Sequence, residues 1–228
     1  MGAPRWRGGW QDRLRDPSLT ALLVIELLFI FVASPLAALG IPLPSAAAGV
    51  AAMVFILVAV AVSQSVGAIV LMVASGLLGF AGLVLRLREP SELTDVLSHG
   101  AGIFALVALS VVVARAVFRP GRVTYHRIRG AIVLYLNIAL IFTAAYRLVA
   151  ESLPGAFHNL PTFGNDFATA NAMLYFSFTT LTSTGFGDIV PVHPIARALA
   201  NLEAVIGQLY PATLLARIVT LELETRRH

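Results

Sequence analysis

A ten-residue run late in the chain, Thr179–Asp188, combines hydroxyl side chains with two glycines that flank a phenylalanine. Glycine adopts backbone dihedral angles that are closed to other residues, so alternating glycines let successive carbonyl groups point the same way. A column of such carbonyl oxygens, contributed by several chains, replaces the water shell of a bare cation. The residue types and spacing therefore predict that the backbone of this run binds cations.

The six residues Ser183–Asp188 resemble the selectivity filter of bacterial tetrameric potassium channels, whose usual form is Thr-Val-Gly-Tyr-Gly-Asp. From Asn171 to about Val219 the chain keeps that family's order of pore helix, filter, aspartate, proline-containing turn and lining helix. The resemblance implies a homotetramer whose main-chain oxygens bind potassium ions on the fourfold axis. It assigns the transported potassium ions to Ser183, Thr184, Gly185 and Phe186, with Gly187 completing the filter and Asp188 at the outer mouth.

Three filter positions depart from the usual form of that family. Ser183 replaces threonine, Thr184 replaces valine or isoleucine, and Phe186 replaces tyrosine. The serine keeps a hydroxyl, so the innermost ion site is expected to survive, whereas the phenylalanine lacks a phenol hydroxyl that would tie the filter to its surroundings. The sequence therefore predicts a passive cation channel with potassium as the expected ion, and a non-selective sodium/potassium channel as the alternative.

The composition is that of a membrane protein. Of 228 residues, 58% are hydrophobic and 12% charged, with a mean hydropathy of +0.84, whereas soluble domains carry about 25% charged residues. The net charge of +4 comes from arginines that cluster at predicted loops, so it indicates topology and lipid contact rather than nucleic-acid binding. The absence of cysteine excludes disulfides and thiolate sites.

Apolar runs long enough to cross a membrane recur along the chain. Six spans are predicted, at 19–39, 46–62, 67–85, 101–118, 131–150 and 194–220. A shorter apolar stretch at 168–180 is predicted to be a re-entrant pore helix ahead of the filter loop. The expected fold is therefore an all-α membrane protein with six transmembrane helices plus one pore helix per chain, assembled as a tetramer.

Four segments follow from these spans: a cytoplasmic N-terminal segment at 1–18, a peripheral four-helix domain at 19–118, a cytoplasmic linker at 119–130 and a pore domain at 131–228. The arginine-rich N-terminal segment is expected to be cytoplasmic, and counting six crossings of the membrane then places the C-terminus in the cytoplasm too. The resemblance implies that this membrane is the plasma membrane of a prokaryote. The expected partners are three further copies and membrane lipids. No nucleic acid, cofactor or soluble ligand domain is expected, the last because few residues follow Val219.

The peripheral domain is predicted not to sense voltage. A voltage sensor needs arginines at every third position through the membrane, but Gly102–Ala114 contains no charged residue. Glu26 is the one ionisable residue of the first span, and the sequence pairs it with Arg115 as a structural ion pair. The alternatives are weak voltage sensing through this pair and a functional role for the intramembrane acid.

The last span contains a candidate hinge and gate. Gly207 and Pro211 are four residues apart, so the proline removes the amide that would bond to the carbonyl of the glycine, and a kink is expected. Helical spacing places Leu215 and Val219 on the same face, where they are candidates for an apolar gate. In the alternative, this face packs against helices and the pore is lined by Gln208, Ala212 and Ala216.

Glu203 lies in the same span and is predicted to brace the pore helix through threonine hydroxyls, or alternatively to tune the filter. Three aromatic residues of the pore helix are expected to pack behind the filter: Tyr175, Phe176 and Phe178. A passive channel needs no catalytic residue, so the chain is not expected to be an enzyme. Two rival functions remain, a proton-coupled transporter with Glu26 or Glu203 as its proton site, and a non-conducting scaffold derived from a pore.

Overall fold

The computed structural model describes residues 9–41, 92–118, 125–160 and 166–226, together with the isolated positions 70, 74, 77 and 81. The predicted second and third spans, at 46–62 and 67–85, therefore fall almost wholly outside the described residues. The predicted first, fourth, fifth and last spans and the pore helix fall within them.

The described residues are mostly helical, in agreement with the predicted all-α class. The helices are α1 (Gly9–Leu28), α2 (Ser34–Ala38), α3 (Glu92–Val117), α4 (Tyr125–Ser152), α5 (Asp166–Leu181) and α6 (Pro194–Arg226), and a π-helical turn, Phe29–Ala33, joins α1 to α2. Two two-residue strands, β1 (Phe157–His158) and β2 (Val190–Pro191), pair antiparallel. The predicted pore helix and last span start within two residues of α5 and α6, whereas α1 and α3 begin well before their predicted starts.

Two described helical stretches are long and apolar enough to cross a membrane, Leu19–Ala38 and Arg127–Ser152. A shorter apolar stretch, Gly100–Arg115, lies within α3. The predicted number of six spans remains a prediction, because the second and third are not among the described residues.

The π-helical turn has a local cause in the sequence. Pro35 sits in the first turn of α2, and proline lacks the N–H that would bond to the carbonyl four residues earlier while its ring presses on that carbonyl. Widening the preceding turn relieves this clash without ending the helix. The wide turn Phe29–Ala33 therefore accommodates Pro35 within a continuous helical stretch.

The buried core of the described residues forms three clusters. In the first, α1, α3 and α4 pack together through leucines and valines such as Leu22, Leu109 and Val133. In the second, aromatic residues join α4, α5, α6 and the β1 loop, among them Tyr146 and Phe176. A third, smaller cluster packs the π-helical turn against α4 and α5. The second cluster holds α5, the predicted pore helix, against α4 and α6.

Candidate functional site

Helix α5, the predicted pore helix, leads into the loop Ser183–Asp188, named the filter loop for its resemblance, through a compact set of main-chain hydrogen bonds. The carbonyl of Thr179 accepts from the amides of both Thr184 and Gly185, at 2.8 Å and 3.2 Å. The amide of Ser183 bonds to the carbonyl of Thr180 at 2.9 Å. These bonds satisfy carbonyls that the helix end leaves free, and they fix where the loop begins.

The loop then alternates in the sign of φ, residue by residue. Ser183, Gly185 and Gly187 have φ of 55°, 53° and 78°, whereas Thr184 and Phe186 are not in the positive-φ region. Ser183 bears a Cβ, so its left-handed conformation costs about 1–2 kcal/mol. Alternation between the two hands curls a backbone so that like groups gather on one side.

The filter loop is uncovered in the single chain. Every residue of Ser183–Asp188 is exposed, and Phe186 retains 70% of its accessible surface. Irregular backbone at membrane depth persists only where protein buries it or where it lines water. The described residues of one chain therefore leave the surface of this loop uncovered.

The rear of the loop rests on the pore helix. The ring of Tyr175 stacks on Phe186, with centroids 6.1 Å apart and planes at 6°. Tyr175 therefore contacts the loop through its ring, in line with the expectation that it packs behind the filter.

The inner end of the loop is tied to α6. The carboxamide Nε2 of Gln208 donates to the hydroxyl of Ser183 at 2.8 Å. The adjacent Gly207 is buried against the end of α5, where an added Cβ would overlap the carbonyl of Leu181. The hydroxyl of Tyr135 in α4 approaches the same carbonyl at 3.5 Å.

A buried polar cluster lies behind the pore helix. Glu203 is fully buried, its Oε2 accepts from the hydroxyl of Tyr146 at 2.6 Å, and its Oε1 lies 2.5 Å from the hydroxyl of Ser177. Ser177 also donates to the carbonyl of Ala139 at 2.8 Å. Glu203 therefore links α6 to α5 through Ser177 and to α4 through Tyr146, rather than through the threonines that the sequence suggested.

The outer end of the loop is anchored by the short β-pair. Phe157 pairs with Pro191, and the guanidinium Nε of Arg197 donates to the carbonyl of Pro191 at 3.0 Å. His193 is half-buried, and its Nδ1 accepts from the amide of Ile195 at the start of α6 at 3.2 Å. These contacts fix the turn that follows Asp188, and they give His193 a capping role.

The predicted ion pair between Glu26 and Arg115 is not formed. Glu26 is 4% exposed and neither of its carboxyl oxygens has a hydrogen-bond partner among the described residues, whereas Arg115 is exposed. The reason is depth, because Val113 and Val117 pack at the level of Leu19. Glu26 lies seven residues further along α1, about 10 Å away at 1.5 Å per residue.

The candidate gate residues lie on a helix that stays continuous through Pro211. Gly207 is a close-packing position against α5, in addition to any role as a hinge. Pro211 and Leu215 are exposed in the single chain, as are Gln208 and Ala212 of the alternative lining face. The side chain of Val219 is outside the described residues.

Comparison with known proteins locates the candidate site within a recognised domain. Residues 130–223 match the family described as "Ion channel". Protein LctB of Geobacillus stearothermophilus is 41% identical to this chain over 87 residues, which cover 37% of this chain and 64% of that protein. No solved structure matches the chain. The matched segment contains most of α4, all of α5 and the filter loop, and nearly all of α6.

Proposed function

We propose that this chain, whose residues 130–223 match an ion-channel family, forms a homotetrameric channel that conducts cations passively, with potassium as the preferred ion. The match indicates a membrane channel and not an enzyme. In the proposal, main-chain oxygens of Ser183, Thr184, Gly185 and Phe186 from four copies surround the ion on the fourfold axis. Gly187 completes the filter, and the host is the plasma membrane of a prokaryote.

One observation carries this proposal: the regular alternation of φ from Ser183 to Gly187 in a loop that the single chain leaves exposed. A single left-handed residue also occurs in an outer loop, at Asn159 (φ 58°), so it is the alternation over five consecutive residues that supports the proposal. Such alternation gathers like main-chain groups on one side of the strand, as a carbonyl column needs.

The tetramer follows from the number of ligands that a dehydrated cation needs. One strand supplies too few oxygens to replace a water shell, and a closed ring of identical copies supplies the rest. The ring also covers the loop, so it removes the exposed backbone that a membrane does not tolerate.

Electrostatics of the flanking elements favour a cation along this path. The C-terminal end of α5 carries the partial negative charge of its helix dipole, and that end leads directly into the filter. Asp188 adds a carboxylate at the outer end of each strand, where four copies would raise the local cation concentration. Ions would move down their gradient, so no proton or catalytic group takes part.

The test is cation flux from liposomes that contain the purified protein, with potassium and sodium gradients compared. Gly185→Ala is expected to abolish flux, because alanine at φ 53° strains the filter backbone. Gly155→Ala is the matched control, since Gly155 also has a positive φ (81°) with open space around it but lies in the outer loop. Equal fluxes in the two variants, or no flux from the unaltered protein, would contradict the proposal.

The same assay separates the rival functions. A reversal potential that does not change when potassium is replaced by sodium favours a non-selective cation channel. Flux that follows a proton gradient favours a transporter with Glu26 or Glu203 as its proton site. Absence of flux from a correctly assembled tetramer favours a non-conducting scaffold.

A further inference from the structure

We propose that Gln208 is a specificity-determining residue, which favours potassium over sodium by holding the Ser183 hydroxyl at a fixed distance from the pore axis. This inference rests on the proposed function, since it assigns a role at the inner end of the same ion path. Gln208 belongs to α6 rather than to the filter, and nothing in the filter resemblance points to it.

A hydrogen bond joins the side chains of Gln208 and Ser183. Gln208 Nε2 donates to Ser183 Oγ at 2.8 Å, across 25 residues of sequence. Both residues are exposed in the single chain, so this contact lies on the surface that four copies would enclose. The bond connects the lining helix directly to the first residue of the filter.

The backbone of Ser183 is held in a strained conformation. Its φ of 55° is unfavourable for a residue that bears a Cβ. A strained conformation persists only where the surroundings over-determine it. The amides of Ser183 and Thr184 are already tied to the end of α5, and the bond from Gln208 adds the tie that sets the direction of the side chain.

The part of α6 that carries Gln208 is itself packed closely against α5. Gly207 lets the backbone of α6 touch the carbonyl of Leu181, so the next residue along the helix, Gln208, has little room to move relative to the filter. The Ser183 hydroxyl is therefore held by a helix that is itself packed against the pore helix. A tether to a free loop would not impose a distance in this way.

The chemical consequence concerns ion size. A serine hydroxyl has two lone pairs and one hydrogen, and one lone pair accepts the Gln208 amide. The other can face the axis, where four copies would form a ring of oxygens around the innermost ion. Sodium needs shorter oxygen contacts than potassium, and four anchored hydroxyls resist that inward shift. The ring therefore suits the larger ion.

The experiment compares reversal potentials in mixed potassium and sodium for liposomes with the unaltered protein, Gln208→Leu and Asn201→Leu. Gln208→Leu is expected to lower the potassium-to-sodium permeability ratio about five-fold, the factor that one net hydrogen bond carries. Asn201→Leu removes a carboxamide from an exposed position seven residues earlier on the same helix and is expected to leave the ratio unchanged. Size-exclusion chromatography checks that each variant assembles.

A double-variant cycle then tests whether Gln208 acts through Ser183. Ser183→Ala is expected to lower the ratio by itself, and adding Gln208→Leu to it is expected to change little further, because the two residues share one bond. Ser183→Thr keeps a hydroxyl and is expected to stay sensitive to Gln208→Leu. Full additivity of Ser183→Ala and Gln208→Leu would overturn the inference.

Calorimetric titration of the protein in nanodiscs with potassium and with sodium gives a readout that does not need an open gate. Gln208→Leu is expected to narrow the difference in affinity between the two ions. If the unaltered protein conducts potassium and Gln208→Leu keeps its permeability ratio and ion affinities, this inference fails while the proposed function stands. If the unaltered protein neither conducts nor binds potassium, the proposed function fails and the inference fails with it.

Discussion

The hydrogen bonds around Glu203 constrain the protonation state of its carboxyl group. The Ser177 hydroxyl has one hydrogen, and it lies within bonding distance of both the Ala139 carbonyl and Glu203 Oε1. A carbonyl only accepts, so both contacts are hydrogen bonds only when the carboxyl group of Glu203 donates to Ser177. Tyr146 donates to the other carboxyl oxygen. A neutral carboxyl group thus satisfies all three neighbours at once.

This pattern predicts opposite outcomes for two substitutions of Glu203. Glu203→Gln keeps one donor and one acceptor in the same places, so it is expected to change stability by less than about 1 kcal/mol. Glu203→Ala leaves the buried Tyr146 hydroxyl without its acceptor, whereas Ser177 keeps the Ala139 carbonyl, so the substitution is expected to cost about 1–3 kcal/mol per subunit. Thermal unfolding of the purified protein measures both.

Glu151→Ala is the matched control, because Glu151 is also a helical glutamate but forms an exposed pair with Arg147 at 3.3 Å. Exposed pairs of this kind contribute about 0–1 kcal/mol. If Glu203→Gln proves as damaging as Glu203→Ala, Glu203 is a required charge rather than a neutral brace. Such a result would support the transporter alternative, in which Glu203 binds and releases protons.

At the scale of elements, the sequence predicted well what depends on nearby residues. The predicted pore helix and last span are encoded by hydrophobic runs and prolines within about 50 residues, and α5 and α6 begin within two residues of their predicted starts. The π-helical turn before Pro35 likewise follows from one residue and its local backbone.

Contacts between distant elements were not predictable from the same signals. Tyr146 lies 57 residues before Glu203 and Ser177 lies 26 before it, and no spacing rule joins them. The expected pair of Glu26 and Arg115 was wrong because position along two separate spans does not give their relative depth. Gln208 was an alternative for the pore lining, but its bond to the filter depends on how α6 packs against α5.

The packing of α6 on α5 makes a prediction for Gly207. Gly207→Ala is expected to force the two helices apart, because the new Cβ would overlap the main-chain carbonyl of Leu181, which cannot rotate away as a side chain would. We expect a loss of about 1–3 kcal/mol in stability, together with a lower potassium-to-sodium permeability ratio. Thermal unfolding and reversal potentials measure the two effects.

Gly102→Ala in α3 is the control, since no described atom lies within 4 Å of the added Cβ and alanine is the better helix former. If Gly207 acted only as a hinge, Gly207→Ala would alter the opening of the channel and leave its stability and ion selectivity unchanged. That outcome would return Gly207 to the role that its spacing from Pro211 suggested.

A single chain leaves two adjoining surfaces uncovered, one polar and one apolar. The filter loop is exposed along its full length, and the neighbouring α6 exposes large apolar side chains such as Leu202, Leu209 and Leu215. The apolar groups are compatible with lipid or with another copy, but the exposed polar backbone of the loop is compatible only with protein or water. Assembly around the loop satisfies both surfaces.

If potassium occupies sites that exist only when four loops meet, the ion must stabilise the tetramer. A ligand at 100 times its dissociation constant adds about 2.7 kcal/mol to the state that binds it. The temperature at which the purified tetramer dissociates is therefore expected to rise with potassium concentration, and to rise less with sodium. A bulky organic cation at equal ionic strength controls for salt screening, and Gly185→Ala is expected to lose the potassium effect. Dissociation temperatures that are identical in potassium and in the organic cation would indicate that the loops form no shared ion site.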